Sequence, residues 1–249
     1  MSLSEMAEKL LAMHRPGTPV VLPTVWDAWS ARLAVEAGFT AISIGSHPVA
    51  EALGSPDNEG LTLDQMLAQV AVITRSVDVP VSADLESGYG ESPGRIVDGL
   101  LGAGAVGLNL EDTVHGEGSR LRSATEHAEL IAGVRRAADA AGVHVVVNAR
   151  TDILVRPDIA DQERFDRAVA QLVACAAAGA DALYPIGLPG PEGLRRLVVA
   201  LPLPVSTVAR PYKENPAELA AAGVARISFG PFWQRRLGQL SKELLAGWR

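Results

Sequence analysis

The chain has 249 residues, of which 48% are hydrophobic and 20% charged. That balance supplies a sizeable core and excludes a disordered chain, a fibre and a disulfide-stapled miniprotein. The net charge of -7 repels phosphate backbones and acidic membrane surfaces, so nucleic acid and membranes are not expected partners.

The one cysteine, Cys175, cannot form an internal disulfide, and a reducing, cytoplasmic compartment is expected. Residues 1–17 carry Glu5, Glu8 and Lys9 and no apolar run of signal-peptide length. The longest apolar stretch, 172–180, falls far short of the roughly 20 residues that span a bilayer.

Read along the chain, a helix from Leu3 to His14 comes first. A short β-branched run and an Ala/Leu-rich helical stretch then alternate. Pro19–Pro23 leads to a helix near Asp27–Ala37, Thr40–Gly45 to one at Thr62–Ser76, and Val79–Asp84 to one at Pro93–Ala103. Val106–Glu111 precedes a helix near Thr125–Ala141, and Val143–Arg150 one near Asp161–Ala178. Ala182–Ile186 and Pro191–Ala200, Pro204–Val208 and Pro216–Ala222, and Ala225–Phe229 and Phe232–Leu245 complete the series. The strands lack polar alternation, as strands covered on both faces should. Glycines after the helices, as at Gly38, Gly104, Gly179 and Gly223, mark αβ loops. Eight such units without a long linker predict an α/β fold, a (β/α)8 TIM barrel with an extra N-terminal helix. The whole chain, 1–249, is read as one domain, with residues 1–17 as a helical extension. A doubly wound open sheet would call for a G-x-G-x-x-G fingerprint after an early strand, and there is none.

In a barrel the βα loops at the C-terminal ends of the strands build the site. The third strand ends in Asp84-Leu85-Glu86, the fourth in Asn109-Leu110-Glu111-Asp112, and the fifth in Asn148-Ala149-Arg150-Thr151-Asp152. Residues two apart share a face of extended chain, which groups Asp84 with Glu86, Asn109 with Glu111, and Asn148 with Arg150. Carboxylates converging on one rim suit a hard divalent cation, Mg²⁺ or alternatively Mn²⁺. No histidine pairs with these acids at zinc-like spacing, which disfavours zinc. Arg150 would grip a substrate carboxylate or phosphonate in a forked contact. Alternation turns Asp112 and Asp152 away from the axis, as caps or arginine partners. Spacing alone leaves Asp57, in the loop after the second strand, open between ligand and cap.

The run Ser82-Ala83-Asp84-Leu85-Glu86-Ser87-Gly88-Tyr89-Gly90 resembles the D-x-[DE]-x-G-Y-G segment of the isocitrate lyase/phosphoenolpyruvate mutase superfamily. Val25-Trp26-Asp27-Ala28-Trp29-Ser30-Ala31, Leu53-Gly54-Ser55-Pro56-Asp57, Asn109-Leu110-Glu111-Asp112, Asn148-Ala149-Arg150-Thr151-Asp152 and Ala180-Asp181-Ala182-Leu183-Tyr184-Pro185 extend the resemblance in family order. It implies a Mg²⁺-dependent enzyme that cleaves or forms a C–C or P–C bond next to the carboxylate of a small dianionic 2-oxo or 2-hydroxy acid. It implies Asp84 as the inner metal ligand, with Glu86, Glu111 and Asp57 holding metal-bound waters. Arg150 matches the substrate-anion arginine, and Gly45, Ser46 and His47 match the carboxylate-binding loop. Many members assemble through a C-terminal helix, so a homo-oligomer, dimer or tetramer, is expected.

The departures fall in the lid after the fourth strand, Asp112-Thr113-Val114-His115-Gly116-Glu117-Gly118. The Lys-Lys-Cys-Gly-His of isocitrate-lyase-type members is absent. Thr113 stands where phosphonopyruvate-handling members carry lysine, and no Asn-Ser follows. The proton donor must come from elsewhere, with Tyr89, His47 and His115 as candidates. The expected function is a carbon–carbon lyase working through a pyruvate-like enolate. Two alternatives stay open: a phosphonomutase or P–C hydrolase, and a catalytically inactive carboxylate-binding barrel. Cys175 reads as a small buried hydrophobe. No lysine sits at a strand end, against Schiff-base chemistry. The Arg135-Arg136, Arg195-Arg196 and Arg235-Arg236 pairs read as solvated helix faces. Trp26 is placed between walling the site and packing in the core, and Asn148 is read with Arg150 as a substrate contact.

Overall fold

Ser2, Thr62 and Ser123 each accept a hydrogen bond from the backbone N–H three residues on, while Glu5, Gln65 and Glu126 reach back to the cap. These capping boxes satisfy donors that no helical carbonyl can reach, and so set where three of the helices begin. In this computed structural model, which describes residues 1–187 and 189–248, the chain opens with α1 (Leu3–Ala12), β1 (Val20–Leu22), β2 (Thr24–Val25), α2 (Ala28–Glu36), β3 (Ile42–Ile44), α3 (Ser46–Ala52) and α4 (Leu63–Thr74). It continues through β4 (Val81–Asp84), α5 (Pro93–Gly102), β5 (Gly107–Glu111), β6 (Thr113–Val114), β7 (Arg120–Leu121), α6 (Ala124–Ala140) and β8 (Val146–Thr151). It ends with α7 (Asp161–Ala177), β9 (Ala182–Pro185), α8 (Gly190–Ala200), β10 (Ser206–Val208), α9 (Pro216–Ala221), β11 (Arg226–Ser228) and α10 (Phe232–Ala246).

Strands β2-β3-β4-β5-β8-β9 form one parallel run and β1-β11-β10 another. A parallel bridge between Leu183 and Val205 links β9 to the segment entering β10. β1 and β2 are two halves of one extended segment, parted at Pro23, which has no N–H to give the ladder; its carbonyl still accepts from Ser43 N. The order is that of a (β/α)8 barrel preceded by an extra helix. The expected strands and helices are present, most with trimmed ends, while β8, α6, α8 and α10 each run one residue further than expected at one end. Two stretches that read as loops are ordered elements: α3, whose Pro48 sits in the first turn where proline is tolerated, and the antiparallel β6–β7 hairpin. Among the described residues no helix is long and apolar enough to cross a membrane.

Ala7 and Leu10 of α1 pack on Leu22, Ala41, Val106 and Val146, at the starts of the strands, so α1 covers the end of the barrel opposite the strand C-termini. The barrel interior is polar in part. Arg226, 1% exposed, donates through Nη2 to Ser82 Oγ at 3.1 Å and Asn109 Oδ1 at 3.2 Å. Asn148 Nδ2 donates to the same Asn109 oxygen at 2.8 Å, and Ser206 Oγ donates to Asn148 Oδ1 at 2.8 Å. Burial pulls Arg226 down to about 10.

His14 and His127 are buried and bond to the carbonyls of Leu10 and Leu110. Burial pulls both imidazoles down to about 4. Between pH 6.5 and 4 the unfolded chain therefore binds protons that these native sites refuse, which destabilises the fold as pH falls through that window. Buried acids with raised pKa act in the opposite direction, so the sign is isolated by a difference. Relative to wild type, His127→Gln should gain about 2 kcal/mol between pH 6.5 and 4.5. Urea unfolding at several pH values measures it, and a pH-independent gap would mean that His127 does not titrate in this way.

Candidate active site

β4 ends at Asp84, and the chain then turns sharply. Glu86 and Tyr89 adopt φ of 47° and 56°, beside Gly88 at 96° and Gly90 at 71°. Left-handed backbone at non-glycine residues costs about 1 kcal/mol or more each. The turn is held by Glu111 N donating to Glu86 O at 2.8 Å and Leu85 N to Asn109 O at 3.2 Å. Glu59, from the loop before α4, adds a second clamp. Its N–H donates to Glu86 Oε2 at 2.6 Å, and its carboxylate accepts from Tyr89 N at 2.8 Å and Ser87 Oγ at 2.5 Å. Glu86 therefore does reach the acid cluster, but strand alternation is not the reason; a strained turn aims it there.

Above the strand ends lies a cavity of about 380 Å³. Of the expected site residues it is lined by Gly45, Ser46, His47, Asp57, Asp84 and Arg150, and Val155, Ile186 and Phe232 give it an apolar wall. Gly45 is required at the tight exit from β3, since a Cβ there would meet Thr24 Cγ2 at 2.6 Å and Pro48 Cγ at 2.8 Å.

The register explains which side chains meet. Asp84, Asn109 and Asn148 are ladder partners, and one layer higher Glu111 pairs with Arg150 and Arg150 with Tyr184. Arg150 Nη1 lies 2.6 Å from Glu111 Oε2 and 3.8 Å from Asp84 Oδ2, while Nε donates to Asp152 Oδ1 at 2.8 Å. Ser46 Oγ donates to Asp84 Oδ2 at 3.2 Å. Asp84 Oδ1 is buried without a donor, and so is Glu111 Oε2, whose close contact with Arg150 is an ion pair without hydrogen-bond geometry. His115 Nε2, from the short 3₁₀ turn between β6 and β7, stands 2.6 Å from Glu111 Oε1 and 3.9 Å from Glu86 Oε2. His115, one of the candidate proton donors, thus stands beside the acids, because the turn folds it back over Glu111 four residues earlier.

Burial, then the charges of Asp84 and Glu111, push the Glu86 carboxyl up to about 8. Burial pushes Glu111 up to about 7 against the pull of Arg150, and raises Asp84 likewise. A cluster of buried carboxylates with orphaned oxygens is the environment a divalent cation relieves. Among the described residues, Glu86, Glu111 and His115 bring one ligand atom each within 4.8 Å of the others, while Asp84 and Asp57 line the cavity.

Asp57 Oδ2 is 2.8 Å from His47 Nδ1, and His47 Nε2 accepts from Arg235 Nη2 at 3.0 Å. Arg235 is exposed on α10, as a solvated face residue should be, while reaching His47; Arg135 is instead largely buried and pairs with Asp181 at 2.6 Å. Tyr89 OH donates to Glu86 Oε1 at 3.2 Å, and burial raises the phenol well above its ordinary value. Two expected substrate contacts are corrected. Trp26 is 7% exposed and packs edge-on against Trp233, ring centres 5.3 Å apart, because its ring turns into the core between α2 and α10. Asn148 sits a layer below Arg150 with both side-chain atoms engaged in the interior network, so it forms floor and not wall. Cys175 is buried and its thiol is pushed up to about 12 by that burial.

Alternation reads Asp152 as a helix cap or an arginine partner, and the second is what the structure shows. Its carboxylate accepts from Arg150 Nε and, through Oδ2, from Thr113 Oγ1 at 2.6 Å, while its N–H donates to Asp112. It is a positioning residue for Arg150, coupled to the lid. Position alone gave no signal for that coupling, because the chain leaves the strand at Thr151. Asp152→Ala should weaken binding of oxalate, a planar mimic of the pyruvate enolate, by about 10² through misplacement of the guanidinium, with divalent-cation affinity little changed. Titration calorimetry of each ligand tests the split.

A family model described as phosphoenolpyruvate phosphomutase matches residues 10–246. The chain belongs to the isocitrate lyase/phosphoenolpyruvate mutase superfamily. Within this superfamily it resembles the solved structure of a "putative phosphonomutase" from Burkholderia cenocepacia J2315, with a TM-score of 0.91 and 40% identity over 97% of this chain and 99% of the other. The structure of 2,3-dimethylmalate lyase gives a TM-score of 0.85 at 27% identity, covering 97% and 86%. Oxaloacetate decarboxylase 2 of Pseudomonas fluorescens is 31% identical over 216 residues, 83% of this chain and 72% of that protein. These relatives are enzymes that include a lyase, a decarboxylase and a putative phosphonomutase, so the likeness supports an enzyme and spans both lyases and mutases.

Proposed function

We propose that the protein is a Mg²⁺-dependent carbon–carbon lyase, with Mn²⁺ as an alternative ion. It cleaves or forms the bond next to the carboxylate of a small 2-oxo or 2-hydroxy acid, through a pyruvate-like enolate. The observation that carries this reading is Arg150, held by Glu111 and Asp152 at the wall of a cavity that also exposes Asp84. Arg150 spends Nη1 and Nε on those acids, and among the described residues its Nη2 has no hydrogen-bond partner, leaving a donor for a substrate carboxylate. A bound divalent cation would supply Lewis-acid charge at the substrate's 2-oxo and carboxylate oxygens. Ser46 holds the Asp84 carboxylate in place. Val155, Ile186 and Phe232 exclude water from one side, which strengthens every charge–charge contact within. His47 lines the cavity and Tyr89 does not, which places His47 nearer a bound substrate as a proton donor.

A P–C reading is favoured by the likeness to the Burkholderia phosphonomutase. It is disfavoured by Thr113, which here bonds to Asp152 and offers no cation to a phosphoryl group. A homo-oligomer fits α10, which buries none of its residues and exposes Leu244 and Leu245. Calorimetric titration of oxalate, with and without Mg²⁺, tests the central claim. Metal-dependent binding is expected, and no binding in either condition would sink the mechanism. Exchange of the methyl protons of pyruvate in D₂O then separates a working site from an inactive barrel.

A further inference from the structure

Glu86, Glu111 and His115 each offer one ligand atom within 4.8 Å of the others. The histidine is not an incidental neighbour. Its side chain is 10% exposed and its Nε2 faces both carboxylates. The turn that carries it is fixed at its base, where Arg122 N donates to Asp112 O at 2.7 Å and Arg122 Nη1 to Glu111 O at 3.1 Å. Gly118, at φ 68°, ends the turn and lets the chain return along β7. Glu111 Oε2 and Asp84 Oδ1 are buried without donors beside this group. An imidazole nitrogen lying among carboxylate oxygens changes what the group prefers. Mg²⁺ favours an all-oxygen shell, whereas Mn²⁺, Fe²⁺, Co²⁺ and Zn²⁺ accept a nitrogen donor with gain.

We propose that His115 Nε2 is a direct ligand of the divalent cation, alongside Glu86 and Glu111, and that the lid thereby tunes the site toward a first-row transition ion over Mg²⁺. The proposal rests on the preceding reading that a cation binds here at all, and it departs from that reading in the donor set and the ion. The lid becomes part of the metal centre, closing on the ion through one side chain.

The test uses Mn²⁺ as probe on the whole protein. Pulsed electron paramagnetic resonance should show nitrogen coupling to bound Mn²⁺ in wild type, lost in His115→Gln and retained in His47→Gln, the histidine that lines the cavity. Calorimetry should show Mn²⁺ bound more tightly than Mg²⁺, with the ratio of the two affinities shrinking on the order of tenfold in His115→Gln. Mn²⁺ bound without nitrogen coupling in wild type, or coupling that survives His115→Gln, would overturn the histidine ligand and leave the cation reading standing. Failure of wild type to bind either ion would remove both. Coupling that is retained in His47→Gln, or absent already in wild type, decides the point even if His115→Gln does not fold.

Discussion

Arg150→Met should lower oxalate affinity at least about 100-fold and destabilise the fold by about 3–5 kcal/mol at pH 8. Its guanidinium contacts Glu111 at 2.6 Å, Asp152 at 2.8 Å and Asp84 at 3.8 Å. Removal leaves three acids facing one another in a site with little water, and the cost is the uncompensated charge more than the lost contact. The loss should shrink toward pH 5. Without the arginine, the native Glu111 carboxyl rises further above its unfolded value, so the native state binds more protons and acidification restores stability. Arg150→Lys should recover much of the stability, because the charge returns. It should not recover oxalate binding, because the planar fork does not. Urea unfolding across pH and calorimetric titration of the variants measure both halves. Oxalate binding that survives in Arg150→Met would remove the arginine from the anion site.

Asp84→Asn should act in the opposite sense on the two properties. Metal-dependent oxalate binding should disappear, because the variant loses the charge of the acid nearest the cavity while keeping its shape and an oxygen for Ser46. The metal-free fold should gain about 0.5–2 kcal/mol. Burial raises the Asp84 pKa against the pull of Arg150, and the charges of Asp57 and Asp152 raise it further, so neutralising it relieves a strain that the working site carries. Thermal melts without metal, compared with melts in Mg²⁺, read this out. Wild type should gain stability from the ion, and the variant should not. A variant less stable than wild type without metal would mean that the Asp84 charge supports the fold.

The alternation of β-branched and helical stretches placed the strands and outer helices of the barrel, because both carry their own period and their own caps. The rim was legible where a residue ends a regular strand: Asp84 on β4, Glu111 on β5 and Arg150 on β8 occupy successive ladders, and pairing alone brings them together. Legibility failed where direction is set by a turn or by a distant partner. Glu86 owes its aim to a left-handed backbone and to Glu59, 27 residues earlier. Asn148 obeys the strand period and for that reason lies one layer too deep. Asp152 escapes the period just past the strand and finds Arg150. Trp26 was open between two roles that only the position of Trp233, on the last helix, could separate. His115 and Arg235 reach the site from a hairpin and a terminal helix whose tertiary placement no local pattern encodes.

The division of the first strand at Pro23 has a consequence for biosynthesis. Val20–Leu22 is laddered to Arg226–Ser228, while Thr24–Val25 is laddered to Ile42–Ile44. The downstream half can find its neighbour as soon as the second strand has left the ribosome. The upstream half must wait for about 200 more residues, which at about 5–20 residues per second is a delay on the order of 10–40 s. During that interval one edge of Val20–Leu22 stays unpaired on a partly built barrel, although α1 already has its partners at Ala41, Val106 and Val146. A nascent chain of this sequence is therefore a natural client for ribosome-associated chaperones until its last strand emerges.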